Sequence, residues 1–346
     1  MKSILMMILC VFLTAQPAAA LELNAPEVPD AGAELMPQDT ADFGKGLLEL
    51  LENALYAVHP QLSEAAKISV SVVAAVLIVS ILETVSEQVK SVSELAGTVA
   101  VASILLYSTD SMIRLGADTV AQISEYGKLL LPVMTAALAA QGGVTASAAL
   151  YTGTAVFDTL LADLISGLLV PAVYLFLALA AANSATGEEL LKRLRDLVKT
   201  AVSWTLKTIL TVFTTYMGIT GVVSGTTDAV TLKATKMTIS SVVPVVGGIL
   251  SDASEAVLVG AGLVRNAAGV YGILAILAVF LAPFLQIGIH YLILKATGAV
   301  CGMFGTKGMN GLIDDFTTAM GLLLAMTGAS CLLLLISTVC FMKGVV

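Results

Sequence analysis

The stretch 320–341, MGLLLAMTGASCLLLLISTVCF, contains no charged residue over 22 positions. A helix of that length measures about 33 Å, which matches the roughly 30 Å hydrocarbon core of a bilayer. An amphipathic helix of a soluble protein carries a polar face, and this stretch has no such face. It therefore predicts a membrane-spanning helix and, with it, an all-α fold.

Further apolar runs predict that the chain crosses the membrane several times. Three have near-spanning length and lie at 164–182, 202–223 and 270–294. Two shorter runs, 68–82 and 95–109, predict either two tilted spans or a shallow hairpin. Together these runs predict a polytopic integral membrane protein with about five to seven transmembrane helices.

The composition excludes several other classes of protein. Of the 346 residues, 58% are hydrophobic and 12% are charged, whereas soluble domains average about 25% charged residues. The composition therefore argues against the soluble, disordered and nucleic-acid-binding classes of protein. The formal net charge of −8 arises in residues 21–65, because acids and bases balance in the rest of the chain. This distribution predicts a neutral membrane body with an acidic appendage.

The first 20 residues resemble a secretory signal peptide. Lys2 precedes an apolar run at 4–13, and three alanines end at Ala20. Ten apolar residues make only about 15 Å of helix, so we interpret 1–20 as a cleaved signal rather than an uncleaved first span. The mature N-terminus is then extracytoplasmic. The remaining cysteines predict neither a disulfide framework nor a metal cluster.

Charge and periodicity divide the rest of the chain. Residues 21–65 form the acidic extracytoplasmic segment, with an amphipathic helix at 46–58 that His59-Pro60 should end and that should dock on another protein or on the body itself. A first membrane half (66–183) and a second (201–346) flank a basic amphipathic helix at 184–200. The basic side chains of that helix should lie at the cytoplasmic leaflet: Lys192, Arg193, Arg195 and Lys199.

That orientation requires an odd number of crossings before the basic helix. We therefore interpret 129–151 as a re-entrant hairpin that does not cross, interrupted by Pro132 and by Gly142-Gly143. A second broken segment, 237–264, contains Pro244 and Gly247-Gly248, is divided by polar residues at 251–255, and is a candidate for a second re-entrant hairpin. Paired broken segments mark the permeation or substrate site in several transporter folds.

The span at 202–223 carries a strip of hydroxyl side chains. Thr208, Thr211 and Thr215 recur at helical spacing, and such a strip either packs on another helix or lines a polar path. Packing is the commoner arrangement in lipid and is favoured here.

Three ionisable side chains fall within or beside the apolar runs. We expect Asp158 and Asp163 at the water interface, because a long uncharged run follows them. His290, one turn after Gln286, predicts a hydrogen-bonded pair within the helix bundle rather than a proton relay.

The sequence carries no signature of an enzyme. The chain has two histidines, and HExxH, CxxC, GxSxG and P-loop patterns are absent from it. We therefore predict no catalytic, cofactor-binding or metal-binding residues, and any ATP-driven work would fall to a partner.

Four ordered blocks of the sequence are similar to those of a known family; they are LLLPVMTAALAAQGGVTASAAL (129–150), TTDAVTLKATKM (226–237), SSVVPVVGGILSDASEAVL (240–258) and RNAAGVYG (265–272). They resemble the stage III sporulation protein AE family of endospore-forming bacteria, and the similarity extends over about residues 62–346. Within them, the positions to test first are Pro244, Gly247, Gly248, Asp252, Asn266 and Gly269.

The resemblance implies a non-enzymatic, permease-like subunit of the channel or secretion complex that connects the mother cell to the forespore and sustains forespore development. It further implies a multi-pass protein of the mother-cell or outer forespore membrane. Expected partners are membrane lipid, the other stage III operon proteins including an ATPase, and stage II sporulation protein Q on the forespore side. Self-association into a homo-oligomer is a further candidate. An independent small-molecule or ion transporter and a purely scaffolding subunit are the alternative functions.

Overall fold

The described part of the chain is helical throughout and has no strand. The computed structural model describes residues 26–38, 40, 42–85, 90–242 and 247–343, without the side chains of 31, 84–85, 90–91 and 221–265. Its helices are α1 (Asp30–Ala33), α2 (Phe43–Val85), α3 (Lys90–Ala140), α4 (Val144–Leu164), α5 (Val170–Thr186), α6 (Glu189–Val242), α7 (Gly247–Cys301) and α8 (Lys307–Lys343). The predicted signal peptide lies outside the described residues.

The long helices run up and down the body, so that it has two ends. At one end Gly308, near the start of α8, meets the Ser184 carbonyl of α5, and Gly97 of α3 meets Val79 of α2. We call this the basic end, because α6 begins there with the basic cluster. At the opposite end Gly272 of α7 meets Leu130 of α3. We call it the acidic end, because α2 begins on that side and its first part belongs to the acidic segment 21–65.

A π-helical turn, Ile165–Leu169, joins α4 to α5. Pro171 lies two residues after the end of this turn and cannot donate an N–H to the carbonyl four residues earlier. Widening of the turn before a proline is a known way for a helix to continue past it. The two helices and the turn therefore act as one rod of spanning length, Val144–Thr186.

Helix α8 lies at the centre of the body. It packs on α7 and α3 most extensively, and also on α4, α5 and α6. Its uncharged stretch is largely buried, including Met320, Leu334 and Phe341. Because this stretch of α8 has no charged face, its burial by helices rather than by lipid is compatible with its sequence.

Five helices are long and apolar enough to cross a membrane, which confirms the predicted all-α, polytopic architecture. They are Phe43–Glu83, Val92–Ala140, Val144–Thr186, Asn266–Cys301 and Lys307–Lys343. The short runs 68–82 and 95–109 belong to the first two, which favours spans over a shallow hairpin. The run 202–223 forms the middle of α6 and extends past residue 220 into the part without described side chains. Its crossing of the membrane stays a prediction.

Two predicted helix boundaries are wrong. Helix α2 continues through Pro60, and α7 continues through the polar residues 251–255. A proline on the exposed side of a helix removes one hydrogen bond without burying an unpaired carbonyl, and Pro60 is exposed. Serine, aspartate and glutamate lower helix propensity by only a fraction of a kcal/mol, so a short polar run need not end a long helix.

The acidic segment docks on the body of this chain. Leu35 and Leu50 are buried against Ala278 of α7, and the backbone of α1 approaches α7 so closely that a Cβ on Gly32 would lie 2.8 Å from Val279 Cγ2. The buried positions of α2 near its start include Leu50, Ala54 and Val58. The sequence predicted docking either on another protein or on the body of this chain. In the structure the segment packs on the body.

Candidate functional site in the helical body

The first broken segment is a tight helical hairpin. Helix α3 ends at Ala140 and α4 begins at Val144. Gly142 has a φ of 89°, a left-handed conformation that glycine adopts without steric cost. The N–H of Gly143 donates to the Leu138 carbonyl at 3.2 Å, which caps the last turn of α3. The glycine pair therefore makes the break, as the sequence predicts.

Pro132 does not interrupt this segment, and that part of the prediction is wrong. It lies inside α3 and is exposed. The carbonyl that loses its helical partner belongs to Lys128, four residues earlier, and Lys128 is also exposed. The helix can continue because this carbonyl is not buried among apolar side chains.

The second broken segment is described only in part. Pro244 lies outside the described residues. Gly247 and Gly248 are the first residues of α7, and Asp252 lies inside it, in the stretch whose side chains are not described. The described parts of this segment, up to Val242 and from Gly247 onward, are helical.

Asn266 and Gly269 lie on different sides of α7. Asn266 is exposed, whereas Gly269 is buried. A Cβ added to Gly269 would collide with the side chain of Met342. Gly269 therefore has a packing role, because it lets α7 approach α8 closely near the acidic end.

The hydroxyl strip of α6 faces away from the other helices of this chain. Thr211 and Thr215 are exposed, and their hydroxyls donate to the carbonyls of Lys207 and Thr211, each at 2.8 Å. Thr208 is half-buried. The sequence favoured packing of this strip on another helix. None of the described helices packs on Thr211 or Thr215, because both residues are exposed.

A buried polar layer crosses the body between α3, α4 and α8. The Ser124 hydroxyl of α3 donates to Asp158 Oδ2 of α4 at 2.7 Å. One turn away, the Thr154 hydroxyl donates to Ser337 Oγ of α8 at 2.8 Å, and both residues are fully buried. Tyr126 Oη is also buried, without a hydrogen-bond partner in the described structure. The layer therefore concentrates hydrogen-bonding groups inside an otherwise apolar body.

The expected position of Asp158 at the water interface is wrong. Asp158 is 4% exposed, whereas Asp163 is exposed, and the position of Asp163 at the water interface stays a prediction. Five residues along a helix correspond to about 140° of rotation, so one carboxylate can face the core while the other faces outward. A buried carboxylate within a spanning helix is a functional-site candidate by default.

His290 is part of the packed core. Its Nδ1 lies 3.0 Å from the Gln286 carbonyl oxygen, and the residue is 5% exposed. It lines a cavity of about 10 Å³, which has room for about one water molecule. His290 and Gln286 therefore form a contact inside the helix bundle, as predicted. The partner atom of His290 is the backbone carbonyl of Gln286 and not its side chain.

An ion pair that sequence reasoning missed ties α6 to α8. Arg195 Nη1 lies 2.6 Å from Asp315 Oδ2, with side chains 13% and 12% exposed. Arg195 also contacts Asp196 at 2.9 Å. Arg195 therefore anchors the basic helix to the body, whereas Lys192, Arg193 and Lys199 are exposed.

The comparison with known families covers nearly all of this body. Residues 35–344 match the family described as stage III sporulation protein AE. The chain belongs to that family. The match includes α2 to α8 and therefore every helix that contributes to the buried polar layer, and family membership assigns the chain a role in sporulation.

A curated relative supports the assignment. The stage III sporulation protein AE of Bacillus subtilis (strain 168) is 21% identical over 232 residues, which cover 66% of this chain and 58% of the relative. The chain thus spans less than two thirds of the length of that relative. No solved structure matches the chain.

The family is a sporulation family and not a known enzyme family. Within the described residues, no group of three or more His, Cys, Asp or Glu side chains could hold a metal ion. The chain is a multi-pass membrane protein by its five apolar helices.

Proposed function

We propose that the chain is a non-enzymatic, permease-like subunit of the channel or secretion complex between mother cell and forespore. Family membership over residues 35–344 carries this proposal. The five helices able to cross a membrane support it, because a subunit of such a complex must be embedded in a bilayer. The partners are the other stage III proteins, including an ATPase, and stage II sporulation protein Q where it is present.

The proposed orientation puts the basic end in the cytoplasm. Lys192, Arg193 and Lys199 are exposed there, and basic residues near span ends favour the cytoplasmic side. Three rods, α2, α3 and the α4–α5 rod, precede this cluster. The N-terminal segment and the end of α8 then lie on the extracytoplasmic side, facing the forespore.

The buried polar layer is the proposed functional centre. Asp158 lies between α3 and α4 and accepts a hydrogen bond from Ser124. Asp158→Asn keeps the shape and the hydrogen-bond acceptor but removes the ionisable carboxyl group. We expect a deletion strain of the natural host to stop forespore development after engulfment, wild-type protein to restore it, and Asp158→Asn to restore it poorly at equal membrane abundance.

The matched control is Asp163→Asn, because Asp163 is exposed on the same rod. We expect this variant to restore development fully. Normal forespore development in the deletion strain would overturn the proposed function. Full activity of Asp158→Asn would contradict a functional role of the buried polar layer but would leave the proposed function of the protein standing.

Cysteine accessibility separates the channel from the two alternatives. Single cysteines along 129–151 and 237–264, treated with a water-soluble thiol reagent in assembled complexes, label a continuous path if these segments line a channel. Uniform protection favours a scaffold. Solute uptake by the purified protein alone in vesicles favours an independent transporter, an alternative that the buried Asp158 also supports.

A further inference from the structure

One outward face of α3 is polar over about half of the helix, from Ser103 to Lys128. Its members are spaced by three, four or seven residues, with Ser111 beside Asp110, and therefore share a side of the helix; they are Ser103, Tyr107, Asp110, Ser111, Arg114, Asp118, Glu125 and Lys128. All are exposed except Asp110, which is half-buried. This polar face of α3 extends about 38 Å from Ser103 to Lys128, which exceeds the thickness of a hydrocarbon core.

A hydrogen bond fixes the depth of this face in the body. Tyr174 Oη of α5 donates to Asp110 Oδ1 at 2.7 Å, and Arg114 Nε donates to Asp110 Oδ2 at 2.9 Å. Tyr174 lies near the middle of the uncharged run 164–182, which is about 28 Å long as a helix. The charged pair therefore lies near the middle of a membrane span.

The opposite side of α3 gives a second marker of depth. A Cβ on Gly116 would lie 3.6 Å from Ile287 Cδ1 and from Thr327 Cγ2. Ile287 and Thr327 belong to the uncharged runs of α7 and α8. Two independent contacts thus place residues 110–116 level with apolar spans.

Lipid is an unfavourable neighbour for this face. The Arg114 side chain is 73% exposed, and a charged side chain within a membrane span is costly unless it is paired or faces protein or water. Other spanning helices present apolar side chains on their outer surface, including Val70, Leu175 and Leu292, all more than half exposed. The polar face needs a polar cover that the described helices of this chain do not provide.

The charge pattern is suited to a second copy of the same chain. Asp110, Arg114 and Asp118 alternate in sign at steps of one helical turn, about 6 Å. Copies inserted in the same orientation meet with α3 parallel, so Arg114 of one copy lies about one turn from Asp110 and Asp118 of the other. Only Nε of Arg114 donates within the described structure, which leaves its two Nη groups for a further carboxylate.

We propose that the polar face of α3 is a contact between copies of this chain within the membrane. Arg114 of one copy pairs with Asp118 of the next, and the contact shields the Asp110–Arg114–Tyr174 cluster from lipid. In a single copy the Arg114 side chain of this cluster is largely exposed at mid-membrane depth, and no described helix of the same chain shields it. This inference is independent of the proposed channel function.

Disulfide cross-linking of the full chain in native membranes tests the contact. In a background with alanine at all four cysteines, Ser103→Cys and Ser111→Cys are each oxidised with copper phenanthroline. We expect a covalent dimer from both. Val70→Cys and Leu292→Cys are the matched controls, since these residues are 68% and 64% exposed on the apolar surface, and we expect no dimer from them.

A charge exchange between copies tests the pairing itself. Arg114→Asp and Asp118→Arg are made in two differently tagged chains. Each alone brings like charges together, so we expect self-association in pull-downs to fall at least tenfold. Co-expression of the two should restore association, because each chain then supplies the charge that the other lacks. Lys295→Glu, at an exposed residue away from the polar face, should change nothing.

Three outcomes would overturn the proposal. One is the absence of dimers at Ser103 and Ser111 in folded protein. Another is cross-linking of these positions to a different protein alone. The third is self-association that survives both charge reversals.

Discussion

At the residue scale, close helix contacts in this body depend on small side chains. Gly153 of α4 faces the ring of Tyr216 of α6, and the Tyr216 hydroxyl donates to the Ala149 carbonyl at 3.1 Å. A Cβ at position 153 would collide with that ring. The glycine therefore permits both the close approach of the helices and the hydrogen bond.

Gly153→Ala should destabilise the protein by about 1–3 kcal/mol, because overpacking displaces Tyr216 and breaks its hydrogen bond. Gly218→Ala is the control, since a Cβ there meets nothing within 4 Å. It should be neutral or stabilise the helix by up to about 1 kcal/mol. Thermal unfolding in detergent measures both, and equal melting temperatures would contradict the contact.

The Arg195–Asp315 pair gives a second prediction at this scale. Arg195→Ala leaves Asp315 largely buried without its partner and should cost about 3–5 kcal/mol. The double variant Arg195→Met, Asp315→Leu should recover most of that loss, because apolar residues remove the unpaired charge. Lys192→Ala, at an exposed residue 4.0 Å from Glu189, should change stability by less than about 1 kcal/mol.

A double-mutant cycle on thermal or denaturant unfolding measures the coupling between Arg195 and Asp315. Additive losses in the double variant would contradict a direct interaction. Sequence reasoning could not find this pair, since its members are 120 residues apart and no local pattern relates them.

At the element scale, long helices are interrupted by glycine turns and continue through prolines. Pro60 and Pro132 both lie inside helices, whereas Gly142 and Gly187 have positive φ at helix ends. The difference is physical: a proline removes one hydrogen bond, but a left-handed residue reverses the path of the chain.

Gly142→Ala should therefore destabilise the α3–α4 hairpin by about 1–2 kcal/mol, because a Cβ is disfavoured at its φ of 89°. Gly142→Asn should cost less, since asparagine tolerates left-handed conformations better. Hydrogen exchange of residues 136–148 reports local opening of the turn. Equal protection in the alanine and asparagine variants would contradict the assigned conformation.

The elements were more predictable than the site. Apolar runs such as 320–341 predicted the spans because insertion into a bilayer depends on summed hydropathy along one segment. The burial of Asp158 was not predictable, because it depends on which side of α4 faces α3. The outward orientation of Thr211 and Thr215 likewise depends on how α6 packs.

At the scale of the whole molecule, the two ends of the body should lie on opposite sides of the membrane. In a cysteine-free background, Glu188→Cys marks the basic end, and Asp42→Cys, just before α2, marks the other side; both residues are exposed. An impermeant maleimide should label Asp42→Cys in intact cells and Glu188→Cys only after permeabilisation. Labelling of both in intact cells would contradict the proposed orientation.

The lengths of α6 and α7 have a geometric consequence. These helices contain 54 and 55 residues, so each is about 80 Å long. A helix of that length is more than twice the roughly 30 Å thickness of a hydrocarbon core. Because Arg195 holds the start of α6 on α8 near the basic end, most of the surplus length of α6 lies towards the opposite end of the body.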